Sequence, residues 1–422
     1  MRRLLSISAK NFKSLHEVNV QLQDLSVLVG PNGAGKTNLL RVIEFLGDTA
    51  RLDLVPAISR HGGFDNIRFR GAPLKRGGAH RVTLTVEAMV TQYASEQAPD
   101  KYTLSFWEAA VRMRRPSKNG ESDTVRYTAR EEEFVFKRTS GRGRRITVSG
   151  ESVAINEFMR GDGSESKKLA MSKQSAALST LRRLSPKEGA TQVGQVAALF
   201  ESFRVFEVDV SEARKPQPVS ISDDQALESD RVVLASNASN VATFLAYLDK
   251  QHREIFEAIE RDLSRVSPNI KRLIVKEKGL GTSEGTVIEI EERGLPGTTP
   301  FSEASFGTVR AVALLAMLHD PDPPMLTCVE EIDHGLHPHA LDIIVERMRA
   351  ASSRTQLLVA THSPALVNRL NPSELIVCER DLESGGSLIP VIDSRDVAEM
   401  VEQTNLLPGE LWFSGALGGG LS

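Results

Sequence analysis

The sequence predicts an α/β fold organised around a phosphate loop, and three observations predict it. GPNGAGKT at residues 30–37 lies between a strand-like run and a helical run, an apolar strand within 325–331 ends in two glutamates, and a second apolar strand at 356–361 leads into a histidine. Each of these places a polar group where a buried strand emerges.

The loop fits the pattern G-x-x-x-x-G-K-[ST]. Residues 26–29 (SVLV) before it form a short β-branched run, and Leu39, Leu40, Ile43 and Leu46 after it recur at helical spacing before Gly47. Gly30, Gly33 and Gly35 let the backbone curl so that several N–H groups aim at one anion, and the helix start adds the positive end of its dipole. Lys36 is expected to reach the β and γ phosphates of ATP and Thr37 to ligate Mg2+. Asn32 and Asn38, inside and just beyond the loop, complete the expected nucleotide contacts.

At 422 residues, with 40% hydrophobic and 25% charged residues, the chain is long enough for two or three lobes and is not of disordered composition. A net charge of -3 gives no overall pull toward nucleic acid or anionic membrane, so any such contact has to come from a local patch. The two cysteines, Cys328 and Cys378, sit in apolar runs and read as buried reduced thiols. The basic N-terminus has too short an apolar stretch for a signal peptide, and no run approaches the roughly 18 apolar residues of a span. A soluble cytoplasmic protein without a membrane contact is therefore expected.

In chain order, residues 4–8 and 18–22 alternate as two half-buried strands, with Asn11, Phe12 and Lys13 at the corner between them. This opening, ISAKNFKSLHEVNVQL followed closely by the loop, resembles the RecF, SMC and OLD group of ABC-type ATPases, and the chain is similar over nearly its full length to ATPases of bacterial phage-defence operons. That resemblance implies an ABC-ATPase head: a mixed sheet carrying the phosphate loop, an antiparallel β arm and a helical lobe.

Strand-like alternation at Val82, Leu84 and Val86 opens the β arm, which continues through 102–111, 124–128 and 134–136, with Asn119-Gly120 and residues 140–145 as hairpin tips. Arg112, Arg114, Arg115 and Lys118, then Lys137, Arg138, Arg142, Arg144 and Arg145, give the arm a basic bias. These residues read either as a patch for DNA or RNA phosphates or as ordinary solvated tips, partly offset by Glu131, Glu132 and Glu133. Residues 150–230 turn polar with helical segments at 176–184 and 193–203. The resemblance makes SKQSAALSTL the linker between arm and helical lobe, and so makes Gln174 a candidate to sense magnesium and the attacking water. Apolar residues from Val241 to Leu263 read as one amphipathic helix capped by Asn240, ending before Ser267-Pro268, with no heptad repeat long enough for a coiled-coil arm. Strands at 271–275 and 287–291 follow.

SFGT at 305–308 opens an almost wholly apolar helix, 309–318, and a Ser-x-Gly at a helix start offers N–H groups to a γ-phosphate. It resembles the ABC signature in the abbreviated form of this group and departs from LSGGQ at several positions. The resemblance then makes Ser305 and Gly307 the residues that complete a site on a second copy. It implies that Glu330 holds magnesium and that Glu331 polarises the attacking water, with residues 333–338 as the D-loop and His362 as the switch histidine at the γ-phosphate. In the D-loop, Ile332-Asp333 stand where Pro-Glu is more frequent in the OLD-type ATPases.

Four segments are expected: 1–150, an ATPase lobe with loop and arm; 151–300, a helical lobe; 301–404, a second ATPase lobe; and 405–422, a Gly-rich tail. About sixty residues follow His362, too few for a fused Toprim nuclease. The tail, LPGELWFSGALGGGLS, is expected to expose Trp412 and Phe413, and the resemblance favours a docking strip. The expected function is an ATP-hydrolysing homodimer that controls a separately encoded effector such as a nuclease. The alternatives are a RecF-like repair ATPase that grips DNA through its arm and a nucleotide-sensing scaffold with little turnover.

Overall fold

The computed structural model describes residues 3–71, 81–114, 122–137, 143–158, 166–183, 189–218, 231–280 and 283–418. The chain begins with a hairpin, β1 (Arg3–Phe12) and β2 (Leu15–Gln21), and a buried strand, β3 (Leu25–Val29), that feeds helix α1 (Lys36–Leu52). Two short helices, α2 (Leu54–Arg60) and α3 (Phe64–Ile67), lead to β4 (Val82–Met89), β5 (Asp100–Arg114), β6 (Ser122–Phe136), β7 (Gly143–Ser149), β8 (Ser152–Phe158) and β9 (Ser166–Ala170). With the first hairpin these make one antiparallel sheet in the order β2-β1-β4-β5-β6-β7-β8-β9.

After α4 (Ala177–Thr180) and α5 (Ala190–Ser202), the strand β10 (Arg204–Phe206) enters a different sheet. Helix α6 (Val210–Ala213), β11 (Gln217–Pro218), helices α7 (Val241–Gln251) and α8 (Arg253–Val266) and strands β12 (Ile270–Leu280), β13 (Ser283–Glu292) and β14 (Thr299–Pro300) follow. Then come α9 (Phe306–Leu318), β15 (Leu326–Glu330), α10 (Ala340–Ala351), β16 (Gln356–Thr361), α11 (Pro364–Val367) and β17 (Leu375–Val377). The chain closes with β18 (Glu379–Arg380), β19 (Ser387–Leu388), α12 (Ser394–Thr404) and α13 (Pro408–Phe413).

The second sheet is parallel throughout, in the order β10-β15-β16-β3-β17. A parallel sheet is covered on both faces, and its strands read as near-continuous apolar runs for that reason. Leu28, Cys328, Leu358 and Ala360 face α1 and the antiparallel sheet, whereas Val27, Val29, Val329, Leu357 and Val359 face the core shared with α7, α8, α9 and α10. The C-terminal ends of β3, β15, β16 and β17 thus come to one edge. The α/β fold expected from the sequence is the one observed, and no long coiled coil occurs among the described residues.

Helix α1 runs five residues past Gly47, and that glycine lets the helix lie close to α5: a Cβ there would sit 3.1 Å from the Phe200 carbonyl oxygen. β8 and β9, in a stretch read as the start of a helical lobe, instead extend the antiparallel sheet. The helix expected from Val241 to Leu263 is two. It breaks at His252 (φ -137°, ψ 52°), whose ring bonds the Tyr247 hydroxyl at 2.9 Å. Both pieces bury residues in the same core, so apolar spacing runs through the break and hides it. Asn240 occupies the N-cap position without capping. Its side chain accepts from Ala235 N–H and donates to the Val233 carbonyl, bracing the preceding loop.

Two of the basic residues singled out in the arm, Arg144 and Arg145, are paired, as is the neighbouring Arg126. Arg145 meets Glu133 at 3.3 Å, Arg126 meets Glu108 at 3.1 Å, and Arg144 bonds Gln192 at 3.1 Å. Arg115, Lys118, Arg138, Arg142 and the Asn119-Gly120 turn lie outside the described residues. No described helix is long and apolar enough to cross a membrane. Both cysteines are buried and free, and desolvation pushes the Cys378 thiol up to about 12.

The tail corrects another expectation. Residues 408–413 are helical and lie on α11, and Gly409 donates its N–H to Asn368 Oδ1 at 2.8 Å. A Cβ at Gly409 would be 2.3 Å from the Pro364 carbonyl oxygen, so the tail sits tightly on the turn that follows β16. Trp412 is 7% exposed and packed with Leu411 and Leu417 in the core, whereas Phe413 is 68% exposed. An indole next to apolar helices gains more by burial than by display. Trp412→Ala is therefore expected to cost about 3 kcal/mol and to lower the thermal midpoint. Phe413→Ala should leave the midpoint within error, and equal shifts for the two variants would refute this placement of the tail.

Candidate functional site

The site starts at the end of β3. Gly33 (φ 83°) and Gly35 (φ 102°) hold left-handed conformations, and a Cβ on Gly30 would lie 2.3 Å from the Cys378 carbonyl oxygen. The loop thus needs glycine for conformation at two positions and for close approach at the third. α1 begins directly at Lys36 with no acidic residue in its first turn, so its positive end faces the loop unopposed. Lys36 Nζ donates to the carbonyls of Gly30 at 2.6 Å and Pro31 at 2.9 Å. Burial holds this ammonium below the ordinary lysine range, against the opposing pull of Cys378, Glu331, Glu330 and Asp333.

Two other segments support the loop from beneath. Asn38 Nδ2 donates to Ser14 Oγ at 2.7 Å, and Ser14 Oγ meets Ser387 Oγ at 2.6 Å. The corner between β1 and β2 and the hairpin of β18 and β19 therefore brace α1. From the same hairpin, Arg380 Nη1 donates to the Gly33 carbonyl at 3.4 Å.

The opposite wall comes from β15 and β16. Glu330 ends β15, and its Oε1 accepts a hydrogen bond from the Thr37 hydroxyl. Glu331 takes a positive φ of 49°, its N–H donates to the Ala360 carbonyl at 2.9 Å, and its carbonyl accepts from Arg310 Nη2 at 2.5 Å. Its carboxylate lies 3.2 Å from His334 Nδ1 and 3.8 Å from His362 Nδ1. Thr361, at the end of β16, donates to Asp333 Oδ1 at 2.5 Å and ties the next loop to the same edge. Between the walls lies a cleft of about 240 Å³ that Lys36, Thr37, Glu330, Glu331 and Arg380 share.

The structure thus brings Gly33, Gly35, Lys36, Thr37, Asn32, Asn38, Glu330 and Glu331 to one cleft, with His362 at its rim. It does not bring Gln174 there. That residue stands exposed on a turn before α4, its N–H bonded to Ser172 Oγ at 3.4 Å. Ser305 and Gly307 are also elsewhere. Ser305 caps α9, its Oγ accepting from Thr308 N–H at 3.1 Å at an exposed end, and Gly307 packs against Gly335 where a Cβ would be 2.7 Å from a carbonyl oxygen. Arg380 lines the cleft and Arg310 lies behind its wall, on the Glu331 carbonyl, and neither had a place in the sequence reading; His334 fell inside the expected D-loop without a role of its own. Arg310 did leave a signal, as the lone charge in an apolar helix.

Loop, helix start and paired acids at the C-terminal edge of a parallel sheet define a phosphate-loop ATPase of the ABC and SMC-head type. Solved structures agree on the fold. One is an SMC head bound to the C-winged helix domain of ScpA (12% identity, 94% of this chain and 99% of that one, TM-score 0.50). Another is an SMC head domain with an extended coiled coil, bound to the C-terminal domain of ScpA, from Pyrococcus furiosus (14% identity, 96% and 100%, TM-score 0.50). An OLD nuclease of Thermus scotoductus is 48% identical over 46 residues, which is 11% of this chain and 9% of that protein. Residues 25–368 match the family described as "AAA domain, putative AbiEii toxin, Type IV TA system", and the chain belongs to that family.

Proposed function

We propose that the protein is an ATP-hydrolysing switch, a homodimer that closes on two ATP molecules and in that form controls a separately encoded effector, a nuclease, in antiphage defence. One observation carries the reading. Lys36, Thr37, Glu330 and Glu331 converge on a single cleft, while Ser305, the remaining phosphate-binding candidate, faces outward on the same molecule. A site missing one wall, with that wall exposed elsewhere on an identical chain, is completed by symmetric pairing.

Lys36 leaves the Gly30 and Pro31 carbonyls for the β and γ phosphates, and the N–H groups at the start of α1 hold the same anion. The hydroxyl of Thr37 and the carboxylate of Glu330, already in contact, are a fitting oxygen pair and would hold Mg2+. When bound, that ion neutralises charge on the β and γ phosphates. Glu331 accepts the proton of the attacking water, and His362 steadies the γ-phosphate from the rim. Gln174 would enter only if its turn moved, and none of these steps relies on it. Support for the effector comes from the relatives: the family is described as "putative AbiEii toxin, Type IV TA system", and the Thermus relative is a nuclease.

The test is the initial ATPase rate per protomer as protein concentration rises. A rate that climbs and then levels supports pairing. A rate independent of concentration at every dilution, or no hydrolysis at all, rejects the proposal.

A further inference from the structure

Arg310 is the lone charged residue of α9, and it is 5% exposed. Long charged side chains seldom go so deep without a carboxylate partner. This one addresses main chain instead. Nη2 donates to the carbonyls of Glu331 at 2.5 Å and Glu330 at 3.4 Å, Nη1 donates to that of Val208 at 3.4 Å, and Nε has no partner among the described residues. The guanidinium is thus anchored where β15 ends, at the two residues that form one wall of the cleft.

What it holds there is an unusual backbone. Glu331 carries a Cβ yet sits at φ 49°, a conformation that side-chain-bearing residues adopt rarely and keep only when their surroundings enforce it. Its N–H is fixed by the Ala360 carbonyl on β16 and its C=O by Arg310, so the peptide is gripped from both sides. The turn aims the carboxylate at the cleft, between His334 and His362. α9 touches this loop a second time through Phe306, whose ring lies 5.5 Å from that of His334.

We propose that Arg310 is a positioning residue for ATP hydrolysis: by gripping the carbonyls of Glu330 and Glu331 it holds Glu331 in the left-handed turn that presents its carboxylate to the cleft. The inference rests on the reading of Glu331 as the base. Arg310 does not line the cleft and acts only through the residue it holds, so its loss should alter the chemical step and spare nucleotide binding. A residue that merely fills the core would instead lower stability, or lower binding and turnover together.

The test compares full-length wild type, Arg310→Met, Glu331→Gln and the double variant, with phosphate release for turnover, a fluorescent ATP analogue for affinity and thermal melting for folding. Misplacement of a reacting group by about 1 Å costs on the order of a hundredfold, so Arg310→Met should lower kcat about a hundredfold while the nucleotide Kd stays within about threefold. Because the two residues act as one unit, the double variant should be no slower than Glu331→Gln alone. Arg310→Lys keeps the charge but lacks the fork that reaches the Glu331 and Val208 carbonyls at once, and should recover part of the rate. If Arg310→Met does not fold, Arg310→Lys carries the same comparison of kcat with Kd and the same cycle with Glu331→Gln.

A wild-type rate in the Arg310 variant, a loss of rate that tracks loss of binding, or a double variant slower than Glu331→Gln by the full single-variant factor overturns the inference. Those outcomes differ from failure of the underlying reading, which is marked by Glu331→Gln turning over ATP at the wild-type rate.

Discussion

Glu331→Gln is expected to lower ATP turnover about a thousandfold, the scale of a lost general base, while ATP still binds and closed dimers accumulate. Glutamine matches glutamate in shape, so it fits the turn that Ala360 and Arg310 enforce and can still meet His334. What it lacks is a basic oxygen for the proton of the attacking water. The Lys36, Thr37 and Glu330 contacts are untouched, so the nucleotide stays and the pair stays shut. Size-exclusion chromatography with and without ATP, beside a phosphate-release assay, reads both effects. Turnover at the wild-type rate would place the base elsewhere.

Lys36→Ala is expected to fail one step earlier. Its ammonium now rests on two loop carbonyls, and desolvation already weakens its charged form. A triphosphate offers a far stronger partner within reach of the same side chain. Hydrogen bonds to charged groups contribute about 1.5–3 kcal/mol each, so losing those to the β and γ phosphates should raise the Kd for ATP at least a hundredfold. Calorimetry checks this directly. No ATP-dependent dimer should form, in contrast to Glu331→Gln, and unchanged affinity would show that the loop is not where the phosphates lie.

The site was more legible than the fold because its chemistry is local. Glycines at 30, 33 and 35 and the lysine at 36 are close in sequence because one loop must curl round one anion, and the ends of β15 and β16 announce themselves as apolar runs stopping at polar residues. Features set by distant contacts were hidden. β10 contributes three residues, Arg204–Phe206, to the parallel sheet, too few for any periodicity to show. The break at His252 leaves apolar spacing intact, and Trp412 reads as an exposed aromatic until α11 is known to lie beneath it. Arg310 was visible as an oddity in α9, but its purpose depends on the carbonyls of another strand. Gln174, taken from resemblance, stands on a turn away from the cleft.

The pairing of two copies round each ATP is tested most directly by mixing two disabled chains. Lys36→Ala destroys the phosphate loop of its own protomer but keeps Ser305, and Ser305→Arg blocks the exposed start of α9 but keeps the loop. Each alone should be inactive. In an equal mixture each mixed dimer keeps one of its two sites intact, so ATPase activity should return, to about a quarter of the wild-type rate where the chains pair at random. A mixture no more active than its parts would contradict a site shared between two molecules.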